Sequence, residues 1–127
     1  YTRLDVKNTG SQIEPYNCGW HNTVGAPFLE SGCIIDNNAK SFAIPPEGTE
    51  FDKTGQLAFG GRSNSLEKVP LRNGKTVNLR KVPGVNGYTD FITGAVPMDC
   101  DLAWSAIVNP RLKLVYLLLL YIEIPFV

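Results

Sequence analysis

Glycine and proline punctuate this chain so closely that helices have little room to form. Its 127 residues hold 12 Gly and 9 Pro, and up to residue 98 they interrupt nearly every window of helical length. Between the breaks lie short runs rich in β-formers: "TRLDVKN" (2–8), "GCIID" (32–36), "KSFAIPP" (40–46), "GQLAFGG" (55–61), "KTVNLRKV" (75–82), "YTDFITGAV" (88–96) and "DLAWSAIV" (101–108). Short strands at close spacing with turn residues between them are the pattern of an all-β sandwich or barrel. The length suits one domain with a real core. The expectation is a single-domain β-sandwich of short antiparallel strands over residues 1–127, with 112–127 an atypical apolar end.

One stretch reads as a hairpin, "KVPLRNGKTVNL" (68–79). Asn73-Gly74 is the preferred pair for a two-residue type I′ turn. That register sets Leu71 opposite Thr76 and Val69 opposite Asn78, mixing apolar with polar. A three-residue loop through Lys75 sets Leu71 opposite Val77 and Val69 opposite Leu79, gathering four apolar side chains on one face. The second register, or a bulge that achieves it, is expected. Pro70 has no ladder donor, so its strand is expected at an edge.

The end of the chain, "LKLVYLLLLYIEIPFV" (112–127), carries no charge between Lys113 and Glu123. As a helix it would span roughly 24 Å, short of a bilayer core of about 30 Å. Read at period two, it suits a long strand buried on both faces at its centre. An end foreign to the fold and a membrane contact are the alternatives.

Charge and chemistry narrow the function further. Lys+Arg and Asp+Glu balance at 12 each, which argues against a nucleic-acid binder, whose affinity rests on a cationic surplus. The charges are nevertheless segregated, basic over 62–81 and acidic over 30–52. The expected meaning is a solvated surface; a patch for an anionic headgroup is the sharper alternative. Cys18, Cys33 and Cys100 permit at most one internal disulfide, with the pairing open. Cys18 and the single histidine, His21, sit in "NCGWHN" without the third group or the signature of a nucleophilic pair. Cys18, His21, Cys33 and Cys100 lack the paired spacing of a zinc site. Acids around 47–52 and 99–101 show no calcium-loop spacing. "FGGRSNS" (59–65) lacks the Gly-Lys-Ser/Thr end of a phosphate loop. Neither an enzyme nor a cofactor or metal site is expected.

Aromatic residues are the stronger lead, because a loop Trp or Tyr can sit among lipid headgroups or stack on a sugar. Trp20, between Gly19 and His21, is expected to be exposed, with Tyr88 next. Four stretches, in order, resemble the aegerolysins, small secreted β-sandwich proteins: "NTGSQI" (8–13), "AIPPEGT" (43–49), "FGGRSNS" (59–65) and "MDCDLAW" (98–104). The chain departs from the pattern where Gly60 replaces a Cys, where Met98 and Asp101 replace a Trp and a Pro, and in its basic 66–79 segment. The resemblance implies a secreted, non-enzymatic binder of sphingolipid- or sterol-rich membranes, in some cases serving a pore-forming partner. It assigns Trp20, Tyr88 and Trp104 to the headgroup layer and Arg62 to the headgroup itself. A carbohydrate-binding lectin-like sandwich and a capsid-like structural subunit, its apolar end packed on a neighbour, are the alternatives.

Overall fold

A computed structural model of the chain describes residues 5–15, 19, 21–49, 54–82 and 89–121. They form an all-β fold of antiparallel sheets. The strands are β1 (Ile34–Asn37), β2 (Ser41–Ala43), β3 (Arg62–Ser63), β4 (Val69–Pro70), β5 (Thr76–Val77), β6 (Thr93–Ala95), β7 (Leu102–Asn109) and β8 (Leu114–Tyr121). A single 3₁₀ turn, Leu66–Lys68, is capped by Ser65, whose side chain accepts from the Glu67 N–H. No helix among the described residues is long and apolar enough to cross a membrane.

The largest sheet has the order β1-β7-β8. Strand β7 lies at its centre. It pairs with β1 from Ile34↔Val108 to Asn37↔Ser105 and with β8 from Leu102↔Tyr121 to Asn109↔Leu114. Asn38 prolongs the first ladder with its side chain. Its Nδ2 donates to the Leu102 carbonyl (2.7 Å), and its Oδ1 accepts from the Trp104 N–H (2.9 Å). A second sheet has the order β3-β2-β6, and β4 pairs with β5 in a third. Ile44, Leu57 and Val69 are buried at the centre of a small core, with Leu66, Leu71, Val77, Leu79 and Ile92 packed around them.

The two edges of the β1-β7-β8 sheet differ. Along β1, the segment Arg80–Val82 supplies backbone partners: Ile35 N–H donates to Arg80 O (2.7 Å), Gly32 N–H to Val82 O (3.1 Å) and Val82 N–H to Cys33 O (2.8 Å). Along the outer side of β8, no strand pairs among the described residues.

Within the apolar end, Leu114–Tyr121 is a strand, as the period suggested, but it is not buried on both faces. Leu117, Leu119 and Leu120 are 53%, 49% and 56% exposed. The reason is layering: faces are buried by elements packed over them, and among the described residues β8 packs chiefly against its neighbour β7 in the same sheet. Asp5–Asn8, expected as part of a first strand, is exposed and forms no ladder, and Val6 is exposed. Residues 55–61 contribute only an isolated bridge, Leu57↔Leu71.

The hairpin keeps the expected face and shifts the expected register. Val69 pairs with Val77, and Leu71 N–H donates to Lys75 O (2.8 Å), so the three-residue loop is Arg72–Asn73–Gly74. A displacement of two residues leaves Val69, Leu71, Val77 and Leu79 on one side, because side chains alternate with period two. Gly74 takes φ 78°, a left-handed conformation that costs glycine nothing, and the Asn73 side chain accepts from the Lys75 N–H (3.0 Å).

Both described cysteines are free thiols. Buried Cys33 directs its Sγ at the Phe28 carbonyl (3.5 Å), and Cys100 directs its own at the Leu102 carbonyl (3.0 Å). Each pairing considered above needs one of these two sulfurs, so none of them forms.

Fully buried Asn109 locks the β7–β8 turn. Its Nδ2 donates to the Phe28 carbonyl (2.7 Å) and to Glu30 Oε1 (2.8 Å), while its Oδ1 accepts from the Leu112 N–H (2.8 Å). Asn109→Ala strands the Leu112 amide and leaves the Phe28 carbonyl only the weak Cys33 thiol donor, and is expected to cost about 1–3 kcal/mol. Urea unfolding of the two proteins measures that difference.

Candidate functional site

The inward face of the β1-β7-β8 sheet does not meet the other two. On β7 that face carries Ala103, Ser105 and Ile107; the paired β8 residues are Leu120, Leu118 and Tyr116. Two small side chains in the middle strand leave the centre of the sheet hollow. Opposite them stand Phe42 from β2, Gly94 from β6, and Val77 and Leu79 from the β4–β5 hairpin and its continuation. Between the layers lies a cavity of about 1010 Å³, partly open to solvent. Ligand pockets run from about 300 to 1,000 Å³, so this one stands at the upper end.

The walls are mainly aliphatic, with Asn37, Gln56, Ser105 and Asp90 as polar interruptions. The Asp90 carboxylate is already engaged. It accepts from the Gln56 and Leu57 N–H groups at 3.0 Å each. Leu118 remains 37% exposed and Leu120 56%. Burying such a side chain fully gains about 1.5–3 kcal/mol, and an apolar guest would recover the part left unrealised here. Chemically, the arrangement can take up hydrocarbon.

The four residues singled out in the sequence fall in different places. Trp104 is mid-strand in β7, half-buried, and borders the cavity; it is not on a loop. Arg62 is exposed on β3, with its Cα opposite Ala43, and does not line the cavity. Trp20 and Tyr88 lie outside the described residues, as does Cys18. "FGGRSNS" is a turn into β3. Gly60 takes φ 62°, and a Cβ on Gly61 would come within 2.8 Å of the Ala58 carbonyl oxygen. Its glycines answer to backbone geometry.

Sequence reading missed Ala103, Ser105 and Gly94 as the residues that make room. A signal was present: "DLAWSAIV" alternates small residues at 103 and 105 with larger ones at 102 and 104. Small inward residues on a central strand are the mark of an unfilled interior.

Opposite charges from the segregated segments pair across the surface. Arg80 Nη2 meets Asp36 Oδ2 at 2.7 Å, and its Nη1 lies 3.7 Å from Glu67. Arg111 Nε donates to Glu30 Oε1 at 2.7 Å. The Arg111 guanidinium, then the Asn109 amide, hold the Glu30 carboxyl below its usual value; the Arg80 hydrogen bond does the same for Asp36.

No protein family, characterised protein or solved structure matches this chain.

Depressed carboxyl pKa values contribute stability that is present above the unfolded-state value and is lost as pH falls through the folded one. Stability is therefore expected to hold from neutrality to about pH 5 and to decline below about pH 4. These pairs are exposed and screened, so the effect is modest. Thermal unfolding from pH 7 to pH 2 should show a shallower acid decline in the Glu30→Gln/Asp36→Asn protein than in the parent.

Proposed function

We propose that this chain is a non-enzymatic lipid-binding module that takes the apolar part of a lipid, an acyl chain or sterol ring system, between its sheets. The observation that carries this reading is the cavity of about 1010 Å³ with mainly aliphatic walls. A sugar asks for several fixed donors and acceptors, whereas hydrocarbon asks only for apolar surface removed from water. The aliphatic lining favours lipid over the carbohydrate alternative.

The aegerolysin-like stretches support the same class of ligand. They shift the emphasis from headgroup to chain, because Trp104 borders the cavity and Arg62 stands apart from it. In this reading Trp104 borders the site on the central strand, between Ala103 and Ser105 of its inward face. Arg62 is a surface cation available to a phosphate or sulfate headgroup once the lipid is in a bilayer. Secretion and service to a pore-forming partner belong to the same proposal and rest on the resemblance.

Ala103→Trp fills the cavity from the central strand. A fluorescent polyunsaturated fatty acid and a fluorescent sterol, each titrated into the full chain, should bind the parent at least about tenfold more tightly than the variant, a difference of about 1.4 kcal/mol. Ser105→Trp is the second blocking variant should the first misfold. Equal binding by parent and blocked proteins, with folding verified by circular dichroism, would sink the reading. Cosedimentation with vesicles of varied sphingolipid, sterol and anionic lipid should show Arg62→Ala losing preference for the anionic lipid alone.

A further inference from the structure

The polar groups of the cavity differ in depth. Gln56 and Asp90 are exposed, whereas Asn37 and Ser105 are half-buried on the sheet that forms its floor. These two stand opposite one another in the β1–β7 ladder, so their side chains share a face, with Cβ atoms about 4.5–5.5 Å apart. Their neighbours on that face are apolar: Ile35 on β1, Ala103 and Ile107 on β7, and Leu118 on β8.

Each of the pair has hydrogen-bonding capacity left over. Asn37 Oδ1 accepts from the Ala39 N–H (3.0 Å), which commits the amide oxygen to the turn. Asn37 Nδ2 and Ser105 Oγ have no hydrogen-bond partner among the described residues. No buried side-chain polar atom described lacks a partner, so both groups are open to whatever fills the cavity. Side by side they supply one N–H donor and one hydroxyl able to give or accept.

We infer that the guest is an uncharged lipid carrying a hydroxyl group, whose oxygen accepts from Asn37 Nδ2 and whose hydrogen is donated to Ser105 Oγ. This rests on the lipid reading above and narrows it. Charge decides against ionised head groups in this position. Among the described residues lining the cavity there is no Lys, Arg or His, and the one charged residue is Asp90. A carboxylate or phosphate brought to the floor would lose its water without gaining a cation, in a cavity that already holds a charge of its own sign. A hydroxyl meets both unused partners and needs no counter-charge. Sterols and long-chain alcohols both present that chemistry.

Displacement of the fluorescent lipids from the full chain tests it. The competitors are a sterol and a long-chain alcohol, each beside its methyl ether, and the fatty acid of the alcohol's chain length at about pH 8, where it is ionised. In the parent, at least one of the two alcohols should compete at a concentration at least about fivefold lower than its ether. The long-chain alcohol should also outcompete the acid. Which alcohol shows the preference separates ring from chain. Ser105→Ala should bring alcohol and ether level, and Ser105→Thr, which keeps a hydroxyl on a side chain suited to a strand, should restore the gap. A ratio between two ligands of one protein does not move with a general loss of stability. Asn37→Asp keeps the acceptor that Ala39 uses and removes the donor, so it should weaken the ether, which can only accept, at least about fivefold. Probes that bind the parent and the Ser105→Trp protein equally would sink the lipid reading and this inference together. Probes that bind the parent alone but yield equally to alcohol, ether and acid would leave the lipid reading standing and overturn this one. A preference untouched by Ser105→Ala, or an ether unaffected by Asn37→Asp, overturns it as well.

Discussion

The structure depends on β7 having a partner on each side. Among the described residues Leu102–Asn109 is the one long strand hydrogen-bonded to both flanks, pairing with β8 along its whole length and with β1 over Ser105–Val108. Polar side chains secure both ends of this arrangement. Asn38 continues the ladder at the Leu102 end, and Asn109 closes the turn at the other. Each of these amides satisfies backbone groups that would otherwise be unpaired, and an unpaired buried backbone group costs as much as several apolar contacts gain. With β7 held, the rest of the sheet has a fixed reference.

What β7 carries inward decides the interior. Ala103 and Ser105 are too small to reach the opposite layer, so the compact core forms elsewhere, around Ile44, Leu57 and Val69. The sheet is rigid by hydrogen bonding while its inner face is poorly packed. That combination suits binding, because a guest meets a preformed wall and need not order it.

The strands were legible wherever an apolar burst ended in a turn signal and had a partner: β1, β2, β7 and β8 lie in such stretches. Asp5–Asn8 alternates as a strand would but has no ladder, and alternation alone cannot supply a neighbour. The hairpin at 69–77 shows the same limit. Burial specifies which face Val69 and Leu71 share, while a slip of two residues leaves that face unchanged, so periodicity could not choose the register. For the candidate site, Trp104 lies in β7, within the strand-like run 101–108, and borders the cavity. The cavity was hidden, because its volume depends on how far apart two sheets stand, and no local run of residues encodes that distance.

The separation in sequence between β1 and β7 has a consequence for how the protein is made. The turn joining β7 to β8 is roughly sixteen times shorter than the connection from β1 to β7. By loop-closure entropy that is four doublings, or about 2–3 kcal/mol in favour of the hairpin. On a ribosome adding about 5–20 residues each second, β1 emerges several seconds before the strand it needs. A hairpin closes in about 1–10 μs. Through synthesis, then, the first strand waits for β7 with only Arg80–Val82 able to pair with it earlier, and the last two strands meet almost as soon as both are free.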